Sequence, residues 1–165
     1  MAKNNKKPLS DGVGIHGFFR IKIKDSDGKV AGDSGWRQNQ VVNDGFRQYL
    51  TLNMAGLSGS KLISYAMLGS GTVPGASSTS LDGELVDVAN MRCAVTPTTI
   101  GSKTVQFAFT LQSNLITAAK TISNVGLINH SSTSVPGTIF SGNTYASSAL
   151  ATNQSVEASY QIRFS

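Results

Sequence analysis

Gly14 to Lys24 reads GIHGFFRIKIK, and this stretch decides the fold. From Phe19 onward the residues alternate, with Phe19, Ile21 and Ile23 on one side of an extended chain and Arg20, Lys22 and Lys24 on the other. Successive side chains of a strand point to opposite faces, so this pattern predicts a half-buried antiparallel strand. Asp25-Ser26-Asp27-Gly28 follows, and Asp-Gly is a favoured hairpin pair, so a return strand is expected through Val30 to near Trp36. The alternation recurs in Lys103 to Gln112, with Val105, Phe107, Phe109 and Leu111 inward. It recurs again from Val156, with Ala158, Tyr160, Ile162 and Phe164 on the same face. Shorter strands are expected at Leu62 to Leu68, Val86 to Val95, Thr121 to Ile128 and Thr138 to Tyr145, the last entered through a Pro136-Gly137 turn. Gly126 inside a strand predicts a bulge or a close backbone approach. Many short strands punctuated by glycine turns predict an all-β chain, a single β-sandwich or jelly-roll-like barrel.

One short helix is expected near residues 44–54. Asn43 or Asp44 can cap it, Phe46, Tyr49 and Leu50 share a face, and Gly56 can stop it. Few turns of helix hold only by packing on the sheet.

Between the strands lies Tyr65 to Leu85, YAMLGSGTVPGASSTSLDGEL. The strand must stop at Gly69-Ser70-Gly71, and Val73-Pro74-Gly75 turns the chain. Leu81 and Leu85 are expected to re-anchor it on the core. The spacing Gly-x-Gly-x-x-x-Gly departs from the dinucleotide fingerprint, and neither an amphipathic helix nor Gly-Lys-Ser/Thr follows. An ordered surface loop is the expectation.

With 165 residues the chain is long enough for one well-packed domain. Charged residues make up only 14%, against about 25% in ordinary soluble domains. Small and hydroxyl-bearing residues replace them and give a neutral surface suited to close protein contact. An apolar fraction of 39% is too high for a disordered chain. The net charge of +5 is concentrated at the start: residues 1–29 carry seven basic groups against three acidic, the remainder seven against six. The division expected is a basic, extended N-terminal arm over residues 1–12 and the β-domain over 13–165. Lys3, Lys6 and Lys7 make the arm a candidate for contact with an acidic protein groove. It has no arginine and no aromatic to stack on a base, so nucleic acid is not the expected partner. No apolar run approaches the ~18 residues of a membrane span, and the polar start is unlike a signal peptide, so folding in a cytosol is expected.

Chemistry finds little to work with. Cys93, the single cysteine, permits no intrachain disulfide and no cysteine-based zinc site, and is expected to be a buried apolar side chain. His16 precedes a hydrophobic run and His130 lies in a serine-rich loop, which predicts structural or solvated roles. Asp82, Glu84 and Asp87 are the densest acidic cluster, and Asp25-Ser26-Asp27-Gly28 is only a fragment of a calcium loop. No catalytic residue, cofactor or metal site is expected. Trp36, the largest apolar side chain, is expected to anchor the core or an interface.

Three pieces in fixed order resemble small structural proteins of tailed bacteriophages. Gly35-Trp36-Arg37-Gln38-Asn39-Gln40-Val41-Val42-Asn43-Asp44-Gly45 looks like their "GW-x-x-N-x-(I/V)-x-(D/N)-x-G" passage from strand to helix. Leu68-Gly69-Ser70-Gly71-Thr72, with Ala76, Thr79, Leu81 and Glu84, is similar to "LGTGT-x-x-P-A-x-x-D-T-x-L-x-x-E". Ile122-Ser123-Asn124-Val125-Gly126-Leu127-Ile128 and the closing strand resemble "TI-x-E-(A/V)-GLF" and "W-x-I-x-F". Asn124 stands where glutamate is usual, Ser80 near the usual acid, and Tyr160 roughly where tryptophan is common. The resemblance spans about residues 14–164 and implies a non-enzymatic virion protein made in the bacterial cytoplasm. Its first implication is a capsid decoration or cement protein contacting the major capsid protein, as a homo-oligomer and by analogy a trimer. A tail-fibre, collar or baseplate component is the alternative. From another class, a carbohydrate-binding module for host attachment would expose aromatics on a sheet face, with Trp36, Tyr65 and Tyr145 as candidates.

Overall fold

The structure is a computed structural model that describes residues 12–86, 91–135 and 137–165. The arm with Lys3, Lys6 and Lys7, and also Asp87 and Pro136, lie outside the described residues. Ten strands form one antiparallel sheet: β1 (Ile15–Lys24), β2 (Val30–Asp33), β3 (Arg37–Val41), β4 (Tyr65–Gly69), β5 (Cys93–Ala94), β6 (Thr96–Gly101), β7 (Thr104–Leu111), β8 (Lys120–Ile128), β9 (Ile139–Leu150) and β10 (Ser155–Phe164). Their order is β5-β4-β8-β9-β3-β1-β10-β7-β6, with β2 also on β1. The sheet curls into a nearly closed barrel because two segments bridge its halves. Strand β3 pairs with β1 through Arg37–Asn39 and with β9 through Gln40 and Val41. Strands β5 and β6, one residue apart, pair with β4 and β7 respectively. The all-β expectation therefore holds, in the barrel form.

The barrel interior collects the residues that the alternation selects. Phe19, Ile21, Ile23, Phe107, Phe109, Leu111, Val156, Ala158, Tyr160 and Ile162 are all buried there. Burying a large apolar side chain contributes about 1.5–3 kcal/mol, so this row dominates the stability of the fold. Phe19 stacks on Tyr160 at 6.1 Å and meets the edge of Tyr145 at 6.0 Å. The buried Tyr160 hydroxyl donates to Ser141 Oγ at 2.8 Å.

Strands β4 and β8 are covered on both faces, which is why they read as near-continuous apolar runs rather than alternating ones. Ala66, Leu68, Val125 and Leu127 face the interior core; Met67 and Ile128 face a second, smaller cluster with Val42, Leu81 and Ile139. The 70–84 loop closes over this outer cluster, and Leu81 and Leu85 re-anchor it as expected.

Several local expectations need correction. The return strand ends at Asp33, close to Trp36 as expected, but a further strand, β3, follows at once from Arg37. Of the expected Val86 to Val95 strand, residues 87–90 lie outside the described residues and the others form strand only at Cys93–Ala94, and β9 extends five residues past Tyr145 to Leu150. The helix is π-wound over Gly45–Thr51 and α-helical over Leu52–Met54. The wider π turn rotates Phe46 into solvent while Tyr49 stays buried against Phe140 at 5.3 Å. Asp44 does not cap the helix; its carboxylate accepts from Gln48 Nε2 at 3.0 Å and pairs with Arg47 at 3.4 Å. Trp36 is not part of the core, being 44% exposed. Gly126 marks a close approach, with Met67 Cε 3.0 Å from where a Cβ would stand, and the register shifts of β8 lie elsewhere.

Candidate functional site

The glycines of the 70–84 loop serve its own closure. A Cβ on Gly71 would lie 2.4 Å from the backbone of Asp82, so only glycine lets the two limbs of the loop touch. Ser70 N–H donates to Gly83 O and Leu85 N–H to Leu68 O. Asp82 Oδ2 accepts from both the N–H and the hydroxyl of Thr72 at 2.8 Å, and these bonds hold its carboxyl below the usual range. Asn124, where the resemblance led one to expect glutamate, is fully buried and donates to the carbonyls of Thr72 and Asp82. An amide suits this place, because it can donate to carbonyls where a carboxylate cannot.

The described acids of the cluster, Asp82 and Glu84, are likewise structural. Glu84 is gripped by Arg92, Nε to Oε1 at 2.6 Å and Nη2 to Oε2 at 2.9 Å. Arg92 is only 5% exposed, and its Nη1 also faces the carbonyls of Ser132, His130 and Val135 at 2.6–3.4 Å. One guanidinium thus ties the 70–84 loop to the 129–138 loop. Sequence reasoning did not foresee this; an arginine inside an apolar stretch was the available signal. Cys93 is buried, and desolvation pushes its thiol up to about 12. His16 meets Ser165 Oγ at 3.3 Å beside β10, while His130 accepts from Ser132 N–H in the loop after β8. Among the described residues no three His, Cys, Asp or Glu gather as a metal site, and no helix is long and apolar enough to cross a membrane.

Two surfaces remain. The first surrounds Trp36. Between the pairs Lys22–Asp33 and Phe19–Arg37, three residues, Ser34, Gly35 and Trp36, oppose two of β1. This is a β-bulge, which re-aims a side chain. Gly35 adopts φ +62°, a left-handed conformation that suits glycine. Asp33 accepts from Gly35 N–H at 2.9 Å and from Arg20 at 2.9 and 2.5 Å, and this pairing holds its carboxyl down to about 2. Ser34 Oγ accepts from Ile21 N–H and donates to Gly35 O. So buttressed, Trp36 stands beside Arg20 at the rim of a shallow concavity of about 400 Å³ on the face of the barrel turned from the core. Lys22, Thr96, Ala108, Thr110, Glu157 and Ser159 also line it. Of the other two aromatics considered for such a face, Tyr65 packs in the cluster under the loop and Tyr145 against Phe19.

The second surface is apolar. Tyr49 and Leu50 of the helix, Leu62 and Ile63, Pro97, Val105, Phe107, Ile162 and Phe164 line a groove of about 330 Å³. It opens where β6 diverges from the segment before β4. Leu62 is 72% exposed, and on the same folded-back segment Met54 is 90% exposed and Leu57 also stands in solvent. Phe164 pairs with Ile15, and Gly14 and Ser165 exchange two 3.0 Å backbone bonds. Gly14, near the start of the described residues, therefore lies beside this groove. Strand alternation marked Val105, Phe107, Ile162 and Phe164 as inward but could not reveal the patch, because Tyr49, Leu50, Leu62 and Ile63, which complete it, sit on helix and loop.

No family model matches this chain, and no curated protein or solved structure is significantly similar to it.

Proposed function

We propose that the protein is a non-enzymatic structural component of a tailed-bacteriophage virion, a decoration or cement protein that docks on the capsid shell. The observation that carries the reading is the apolar end of the barrel. Large exposed apolar groups gathered at one end, with a groove reaching core residues, mark an interaction surface rather than a solvated one. Lys3, Lys6 and Lys7 precede Gly14 by only a few residues in the chain, so one approach can engage both an apolar seat and, through those lysines, an acidic groove of a partner. The sparse charge elsewhere lowers the desolvation cost of burying the rest of the surface. The groups that could do chemistry are spent on structure: Glu84 on Arg92, Asp82 on Thr72, Asp33 on Arg20. Repeated shell sites favour a symmetric oligomer, and a trimer suits local threefold positions.

Electron microscopy of intact particles tests the proposal. Density of this barrel at every equivalent shell position is the expected result. Density confined to the tail or neck would transfer the protein to the fibre, collar or baseplate class, and its absence from particles would end the virion reading. On stripped particles, Leu62→Asp and removal of residues 1–8 should each weaken rebinding while leaving the barrel folded.

A further inference from the structure

The Trp36 concavity is separate from the apolar end, and nothing in the virion proposal uses it. Its construction is costly for a solvated surface. A bulge, a left-handed glycine and a bidentate Arg20–Asp33 pair together hold the one tryptophan of the chain half in solvent. The hydroxyls of Thr96, Thr110 and Ser159 and the indole N–H of Trp36 make no side-chain hydrogen bond among the described residues. They line the concavity together with Ala108. Glu157 is paired with Lys24 at 2.7 Å and Arg20 with Asp33, whereas Lys22 has no ion-pair partner among the described residues. Of the three charged residues lining the concavity, Lys22 is therefore the one left without an ion-pair partner among the described residues.

We propose that this face binds an acidic saccharide, a chain of sugar rings bearing carboxylates. A pyranose presents an apolar C–H face that stacks on an indole and a rim of hydroxyls that need both donors and acceptors. The aromatic wall and the three free hydroxyls meet these needs, and Lys22 selects a carboxylate-bearing ring. A nucleic-acid strand would require several free cations along its phosphates and successive stacking platforms, whereas in the lining of this concavity Arg20 is paired with Asp33 and Trp36 is the one exposed aromatic.

The single tryptophan makes the test direct, because all indole emission comes from the site. The full chain is titrated with galacturonate oligomers and, in parallel, with neutral malto-oligomers of equal length. The expected result is a saturable change in Trp36 emission with the uronate, weaker at high salt, and little response to the neutral oligomer. By calorimetry, Lys22→Ala should weaken binding roughly tenfold, the loss of one charge-assisted hydrogen bond, and Trp36→Ala should abolish it with an unchanged thermal midpoint. No saturable response to the uronate, equal affinity for both oligomers, or full affinity in Lys22→Ala would each overturn the proposal. So would a stronger response to a single-stranded oligonucleotide. None of these outcomes depends on where the protein sits on a particle.

Discussion

Replacing Glu84 by leucine should damage the protein far more than its place on a loop suggests. The substitution leaves the Arg92 guanidinium 5% exposed with no counter-charge, and its Nε and Nη2 lose bonds of 2.6 and 2.9 Å. Removing one partner of a buried ion pair costs about 3–5 kcal/mol. For a domain of this size each kcal/mol lowers the melting temperature by about 2–4 °C, so a fall of roughly 6–20 °C is expected. Arg92→Met should cost a similar amount, since it strands the Glu84 carboxylate and also the carbonyls it reaches in the 129–138 loop. The two losses share one cause, the unpaired charge, so Glu84→Leu with Arg92→Met should cost clearly less than the two singles added. Urea unfolding of the four proteins gives the cycle. Strict additivity, or a Glu84→Leu loss of about 1 kcal/mol or less as for a surface pair, would refute the reasoning.

Gly71→Ala should destabilise by about 1–3 kcal/mol in the same assay, because the new methyl meets the Asp82 backbone rather than a side chain that can yield. The Cys93 thiol, pushed up to about 12 by burial, should react with iodoacetamide at pH 8 many-fold slower in the native protein than in urea. The Asp33 carboxyl is held down to about 2, chiefly by its hydrogen bonds from Arg20. A depressed carboxyl stabilises above its unfolded value and loses that contribution as pH falls through the folded one. Trp36 emission should therefore stay constant to about pH 4 and shift between pH 4 and 2, and Asp33→Asn should remove that transition.

The strands that are half-buried were legible in the chain, because a face turned to water and a face turned to Phe19 or Phe107 write a period of two. Where both faces are covered, as in Tyr65–Gly69, the period disappears, and the sequence shows an apolar run without saying what covers its second side. That cover is the 70–84 loop, whose contacts depend on Asn124, some forty residues downstream of Asp82. Trp36 was singled out by size alone. Its exposure follows from one extra residue in the pairing with β1, which becomes visible only when both strands are aligned. The Arg92 clasp and the apolar end join segments distant in sequence, and no local pattern carries either.

The innermost neighbours of this barrel are also among the most distant in time. Every residue of Ile15–Lys24 is matched with one of Ser155–Phe164, in the middle of the sheet order rather than at its margin. A ribosome must therefore release about 130 further residues before the first strand finds its main partner, and loop closure over that length is slow. Until then the β1–β2 hairpin exposes Phe19, Ile21 and Ile23 as a sticky ribbon. The lysines on its opposite side, Lys22 and Lys24, keep such nascent ribbons apart while they wait.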